Sequence, residues 1–550
     1  MSTSPSVIGL ASGRGHGAVD RGLASTPRSA LFEGRFGRMF RTLPAAEFDA
    51  DDLKALATAM TAEPEATVTP ETENDDEENF GIPAGYTYFG QFIDHDLTFD
   101  PASSLDRLND PNALTDFRTP RLDLDSLYGR GPADQPYLFD QADKTGRKFK
   151  LGRDLTGGQP EGVITQDLSR FQARALIGDK RNDENVIVSQ LHGLFLRFHN
   201  RLCDQDAEAS FEEVQRRVRW HYQWLVLFDF LPRICGRKRV KQVLPHIDSG
   251  KSIFEKKPER LFFHWHVDPF MPVEFSGAAY RFGHSMVRPE YRLSLKDLPP
   301  HGPKVKGLNG RKFVFAADPL DGLNGFREFP GDWAIDWSLY FETRGRKLSP
   351  KLLGPGRIQP AYKIDTSLVA PLGALPEFSK PNSNTPQDKR QPNILALRNL
   401  LRGAALGLPS GQDVARFMGL VPIDDDKLLV GKANVAGLSG KEANKPITAI
   451  SARFADNAPL WFYCLAEAQV QWVKDAAKEN SDAAKNAVHV KLGEVGSRIL
   501  TEVFVGLLQG DAHSFLSLAP NWKPELGRRK AKSDFDRFTM GDLVEFVTGA

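Results

Sequence analysis

Four apolar stripes at helical spacing do most to restrict what this chain can fold into. Ile187, Leu191, Leu194, Phe198 and Leu202 form the first; Val214, Val218, His221, Leu225 and Phe228 form the second, which ends at Pro232. Trp461, Leu465, Ala468 and Trp472 make the third, and Ile499, Val503 and Leu507 the fourth. Steps of three and four residues place each set on one side of an α-helix, and such sides are stable only when buried against one another. Strand signals are few and short, and no fixed-period repeat is present. The expectation is a mainly α fold: one large helical domain over 31–550, preceded by a flexible Ser-, Gly- and Ala-rich arm over 1–30. Polar loops are expected at 63–79, 380–393 and 474–487.

Charge and composition exclude several classes. Basic and acidic residues balance at 71 each, which gives no electrostatic reason for nucleic acid or an anionic membrane as partner. No apolar run is long enough to span a bilayer; WLVLFDFLPRICG is broken by Asp229 and Pro232. The short VIGLA near the start falls short of a secretory signal core, so the cytoplasm is the default expectation, with leaderless export as the alternative. Cys203, Cys235 and Cys464 are far apart and odd in number, and each sits among apolar residues, which reads as buried thiols rather than a disulfide framework. GRGHG at 13–17 has neither a preceding strand nor a following helix and is discarded as a nucleotide loop.

The chemistry-bearing segments lie elsewhere. GYTYFGQFIDHDLTFD places Gln91, Asp94 and His95 at i, i+3 and i+4, on one helical face, an acid/base constellation. In TPRLDLDSLYG, Thr119, Arg121, Asp123 and Asp125 alternate; an extended loop would turn their oxygens to one side, and Asp96 adds a carboxylate suited to a hard cation such as calcium. GDKRNDEN carries Arg181 and Glu184 three apart, with Arg181 able to polarise a bound oxygen. His284, between small and apolar residues in AAYRFGHSMVRP, suits iron ligation. Asn399, polar on the apolar NILALRNLLRGAALGLP, needs a buried partner, and an imidazole N–H would serve. Taken singly, each has a plain structural reading: a solvated helix face, an acidic turn, an intrahelical ion pair, a satisfied core histidine.

Together, in this order over residues 90 to 409, the segments resemble the animal-type haem peroxidases of the peroxidase–cyclooxygenase superfamily. GQFIDHDLTFD resembles their distal helix, TPRLDLDSLYG their calcium loop, GDKRNDEN the stretch with the catalytic arginine and a haem-linked glutamate, and AAYRFGHSMVRP the proximal-histidine motif. The resemblance implies haem b and calcium as cofactors. His95 and Arg181 would cleave peroxide, with Gln91 lining the distal pocket. His284 would be the proximal iron ligand, with Asn399 accepting its other ring N–H. Arg281 and Arg402 match propionate-holding arginines. Asp94 and Glu184 match carboxylates esterified to haem methyl groups in mammalian members. Asp96, Thr119, Arg121 (through its carbonyl), Asp123 and Asp125 would bind calcium. The implied function is peroxidase chemistry: hydrogen peroxide oxidises small organic or halide reductants through a ferryl intermediate.

Departures shape that expectation. Asn185 stands where myeloperoxidase forms a sulfonium link through methionine, and Asp125 where mammalian members have serine. The segment after Asn399 lacks their RDHG. Two alternatives are weighed. A fatty-acid dioxygenase uses a tyrosine three residues before the proximal histidine; that position is Arg281 relative to His284, or Phe263 if HWHVDPFMP supplied His266 instead. A non-catalytic haem- or calcium-binding scaffold would need neither His95 nor Arg181. His264 and His266 form a weak metal pair.

Overall fold

The computed structural model describes residues 34–549 except 65–75, 100–114, 117, 156–164, 266–267, 296–310, 317–319, 355, 376–391, 436–443 and 529. The 1–30 arm, His266 and most of the loops expected at 63–79 and 380–393 lie outside the described residues. Eight helices of nine or more residues dominate what is described: α1 (Ala50–Ala59), α2 (Gly85–Leu97), α3 (Val186–Gln205), α4 (Phe211–Trp224), α5 (Leu395–Ala405), α6 (Leu460–Ala476), α7 (Glu494–Gly510) and α8 (Met540–Thr548). The first, third and fourth expected stripes fall on α3, α6 and α7, and the second begins on α4.

Two expectations are corrected. The second stripe does not end at Pro232: α4 passes through a π-helical turn, Leu225–Phe230, into a helix Leu231–Cys235 with Pro232 in its first turn. Pro232 lies at the junction, where the hydrogen bonding changes from the π to the α pattern. The polar stretch 474–487 is not a continuous loop, since α6 runs through Ala476 and a helix Asp482–Asn486 follows, capped by Ser481. Alanine and lysine are good helix formers, and the serine supplies the start.

Strands are two to six residues long. Gly34–Gly37 pairs with Thr115–Asp116 on one side and Met271–Pro272 on the other, with Phe36 opposite Met271. Glu78–Pro83 pairs antiparallel with Pro360–Tyr362 and leads into α2. The core is helical and aromatic. Phe92 of α2 stacks on Phe195 of α3 with ring centroids 5.0 Å apart, and Tyr222 of α4 meets both edge-on. From α7, Phe504 packs on Tyr280 at 5.5 Å. Burying such rings fixes how α2 can rotate.

Candidate active site

The α2 sequence sorts its side chains into two groups. Tyr86, Phe89, Phe92, Ile93 and Leu97 are fully buried, whereas Gln91 and Asp94 remain partly open. The helix starts close against the 340–341 backbone: a Cβ on Gly85 would come within 2.6 Å of the Tyr340 carbonyl oxygen. Only glycine lets α2 begin there.

His95, on the same side as Gln91 and Asp94, is buried and held by a second element. The 3₁₀ turn Lys180–Asp183 begins at Asp179, whose side chain accepts from the Arg181 N–H. From this turn Asn182 Oδ1 lies 2.8 Å from His95 Nδ1, and Arg181 Nη2 donates to the His95 carbonyl at 2.9 Å. Burial, with Arg181 close by, brings the His95 imidazole down to about 3, so it is neutral near pH 7. Its Nε2 stands 3.7 Å from Glu184 Oε1. Gln91 Nε2 donates to that same Glu184 oxygen, and Asn185 Nδ2 donates to Gln91 Oε1 at 3.2 Å. Asn185 also caps α3 through the Ile187 and Val188 N–H groups, so the residue at the sulfonium position is a helix cap here. Burial raises the Asp94 carboxyl, against the pull of Arg181 and Arg281.

Arg181 does not pair with Glu184 as an intrahelical reading would have it. Its guanidinium grips Asp179, with Nη2 at 2.7 Å from Oδ2 and Nε at 3.2 Å from both oxygens. Burial alone would raise the Asp179 carboxyl, but Arg181 and Arg118 outweigh it and hold it well below the usual range.

The second histidine comes from the 3₁₀ segment Ala279–His284. Tyr280 ties this segment to α2 by donating to the Gly90 carbonyl at 3.1 Å, and Trp461 of α6 donates to the Arg281 carbonyl at 3.2 Å. His284 Nδ1 lies 2.7 Å from the Asn399 amide of α5. Arg281 donates to Asn399 Oδ1 at 3.2 Å and to the Ser276 carbonyl at 2.9 Å. Burial and then Arg281 depress the His284 imidazole to about 3. Among the described residues nothing comes within 4 Å of a Cβ placed on Gly283, and Gly283, His284, Arg402 and Gly403 are partly accessible.

Asp96, on the other side of α2 from Gln91 and Asp94, meets the 119–125 loop. Asp96, Asp123 and Asp125 bring one oxygen each within 4.8 Å of one another. The loop is not extended throughout: Leu124 takes a left-handed φ of 56°, and Asp125 opens a helical turn. Thr119 Oγ1 donates to Asp123 Oδ2 at 2.9 Å, and the Arg121 N–H to the Thr119 carbonyl at 2.7 Å. Burial, Asp123 and Asp125 together push the Asp96 carboxyl well above its ordinary value. Three crowded carboxylates with this cost suit a divalent cation.

Other groups fall elsewhere. His264 is exposed, its Nε2 3.0 Å from the Leu261 carbonyl. Cys203, Cys235 and Cys464 are buried free thiols. A cavity of about 840 Å³ lined by Asp229, Arg233, Lys238, Glu342, His489 and Lys491, among others, contains none of His95, Arg181 or His284. Asp179 and Asn182 were not picked out from sequence; their neighbour Arg181 was, and the turn they form with it was the available signal.

Comparison with known proteins bears on this arrangement of a buried histidine, an arginine and a histidine–asparagine pair. Residues 105–328 match the family described as animal haem peroxidase. The chain is 25% identical over 400 residues to thyroid peroxidase of Homo sapiens, covering 68% of this chain and 37% of that protein. It is 28% identical over 341 residues to heme peroxidase 2 of Caenorhabditis elegans, covering 54% and 43%. The chain thus spans less than half the length of these curated relatives. Peroxidase A from Dictyostelium discoideum shares the fold at a TM-score of 0.51 and 17% identity, over 94% of this chain and 93% of that one.

Proposed function

We propose that the protein is a haem peroxidase that uses hydrogen peroxide to oxidise a small reductant. The observation that carries this reading is the hold on His95: Asn182 fixes Nδ1 while Nε2 is left toward the partly open side of α2. The residues present fit haem b. Among the described residues His284 Nε2 makes no hydrogen bond, while Nδ1 lies 2.7 Å from the Asn399 amide, so Nε2 is the ring atom left for an iron. Arg281 and Arg402 are the proposed propionate partners, and Asp94 and Glu184 the carboxylates placed for ester links. Asp96, Thr119, Arg121, Asp123 and Asp125 are the proposed calcium ligands.

When bound, haem supplies the redox-active iron at which the peroxide O–O bond breaks. The chain's own residues move the protons. Neutral His95 would take a proton from hydrogen peroxide at Nε2 and return it to the oxygen that leaves as water. Arg181 stabilises the charge that develops on that oxygen. Asn399 donates from Nδ2 to His284 Nδ1 and, with its Oδ1 taken by Arg281, holds the imidazole ring in place. The balance is one hydrogen peroxide, two electrons from the reductant and two protons to two waters.

The test is an absorption spectrum with peroxide-driven oxidation of a phenol, bromide and iodide. A Soret band with turnover that falls roughly 10²- to 10⁴-fold in His95→Ala supports the reading. Absence of a Soret band overturns it. Haem without peroxide turnover, unchanged by His95→Ala, favours a scaffold, and oxygen uptake with an unsaturated fatty acid favours a dioxygenase.

A further inference from the structure

Between the carboxylate cluster and Arg181 runs a buried line of alternating charges. Arg118, immediately before Thr119, donates from Nη1 to Asp125 Oδ1 at 3.2 Å and sets Nη2 2.8 Å from Asp179 Oδ2. Asp179 Oδ2 also receives Arg181 Nη2 at 2.7 Å. Both guanidinium groups lie near the Phe99 ring, Arg181 at 4.7 Å from its centroid and Arg118 at 5.9 Å. Arg118 and Asp179 are 7% and 3% exposed, so little water screens them.

The backbone brings the two ends together. A Cβ on Gly178 would come 2.6 Å from the Ser126 carbonyl oxygen and 2.7 Å from that of Asp125. Glycine there lets the segment carrying Asp179 lie directly on the loop carrying Asp125. Arg118 also reaches the Gly178 carbonyl at 3.5 Å.

One oxygen, Asp179 Oδ2, thus serves two guanidinium groups, and one guanidinium, Arg118, serves two carboxylates. Shared partners compete. Positive charge added beside Asp125 draws that carboxylate away from Arg118. Arg118 then leans on Asp179 Oδ2, and Asp179 loosens its grip on Arg181. We propose that Arg118 is a positioning residue through which occupancy of the Asp96–Asp123–Asp125 site by a divalent cation sets how tightly Asp179 holds Arg181. The peroxidase reading above gives Arg181 its chemical role; the coupling itself is measurable without it. An arginine that merely neutralised Asp125 would leave Arg181 indifferent to the cation.

Coupling between two sites is reciprocal, so a change at Arg181 must be felt at the cation site. The experiment is a double-mutant cycle on calcium affinity, measured by calorimetry on the full chain as purified. In the wild-type background, Arg181→Met frees Asp179 for Arg118, releases Asp125 and tightens calcium binding roughly fivefold or more. In an Arg118→Met background the same change alters affinity less than twofold. Arg118→Lys keeps the charge but has a single ammonium group, and is expected to leave an intermediate effect; it also serves if Arg118→Met does not fold. An equal Arg181→Met effect in wild type and Arg118→Lys overturns the proposal, as does the absence of saturable calcium binding in the wild type. In haem-loaded protein, calcium is expected to shift cyanide affinity severalfold in wild type and less in Arg118→Lys. A missing Soret band would sink the peroxidase reading while leaving the calcium cycle interpretable.

Discussion

Asn182 Oδ1 lies 2.8 Å from His95 Nδ1, and the other end of the same amide, Nδ2, lies 3.0 Å from Nδ1 of His192. An amide nitrogen only donates, so His192 Nδ1 must accept, as a neutral imidazole does. Burial holds His192 at about 3, which keeps it neutral. The orientation of Asn182 is therefore set from behind, and with it the tautomer of His95: proton on Nδ1, lone pair on Nε2.

Asn182→Leu should leave haem bound but slow the reaction with hydrogen peroxide roughly 10- to 100-fold, the usual cost of losing a group that orients a functional histidine. Stopped-flow rates against peroxide concentration measure this. His192→Leu should give a smaller loss, because the amide stays but is free to turn. A rate in Asn182→Leu equal to wild type would show that His95 needs no such anchor.

The proximal pair gives a second expectation. In Asn399→Leu, His284 Nδ1 loses its buried partner and Arg281 loses an acceptor. Peroxide reactivity should fall roughly tenfold or more, with the iron–histidine stretch in resonance Raman spectra shifting from its wild-type position. An unchanged stretch in the leucine variant would remove Asn399 from any role at the axial ligand.

Periodicity made parts of this site legible. Gln91, Asp94 and His95 share a face because 3 and 4 are helical steps, and the aromatic residues of α2 had to point the other way. Asn399 was legible as a polar residue on an apolar face that required a partner, and the fold supplies His284 from 115 residues away. The partner of Arg181 was not legible. Position favoured Glu184, but the turn at Lys180–Asp183 is 3₁₀ and opens at Asp179, which turns Arg181 back on the carboxylate two residues earlier. Arg118 was hidden for a different reason: its partners, Asp125 and Asp179, meet only because Gly178 allows two backbone segments to touch. The π-helical turn at Leu225–Phe230 likewise left no mark, since its apolar spacing continues that of α4.

Calcium should stabilise the wild type, by about 2.7 kcal/mol at a concentration one hundredfold above the dissociation constant. The variant Asp96→Asn separates cation binding from simple crowding. Without calcium it relieves repulsion among three carboxylates and should melt at or above the wild-type temperature. With calcium it should melt below. Calorimetry with and without chelator reads both, and a wild type indifferent to chelator would argue against a resident cation.

A clean pH signature should come from His221, which no proposed cofactor touches. Its ring packs edge-on against Phe538 at 5.0 Å and Trp522 at 5.1 Å, and Nδ1 lies 2.7 Å from the Arg217 carbonyl. Burial lowers the imidazole from 6.5 to about 4. Between those values the unfolded chain binds a proton that the folded one refuses, so the contribution of His221 is fully present above pH 6.5 and is lost as pH falls toward 4. His221→Phe keeps an aromatic ring and removes the titration. Relative to wild type, the variant should gain about 2 kcal/mol on going from pH 7 to pH 4.5, whatever the other groups contribute, because they are common to both proteins. Urea unfolding of the two proteins at both pH values measures it, and a difference independent of pH would mean that this imidazole protonates as readily in the folded chain as in the unfolded one.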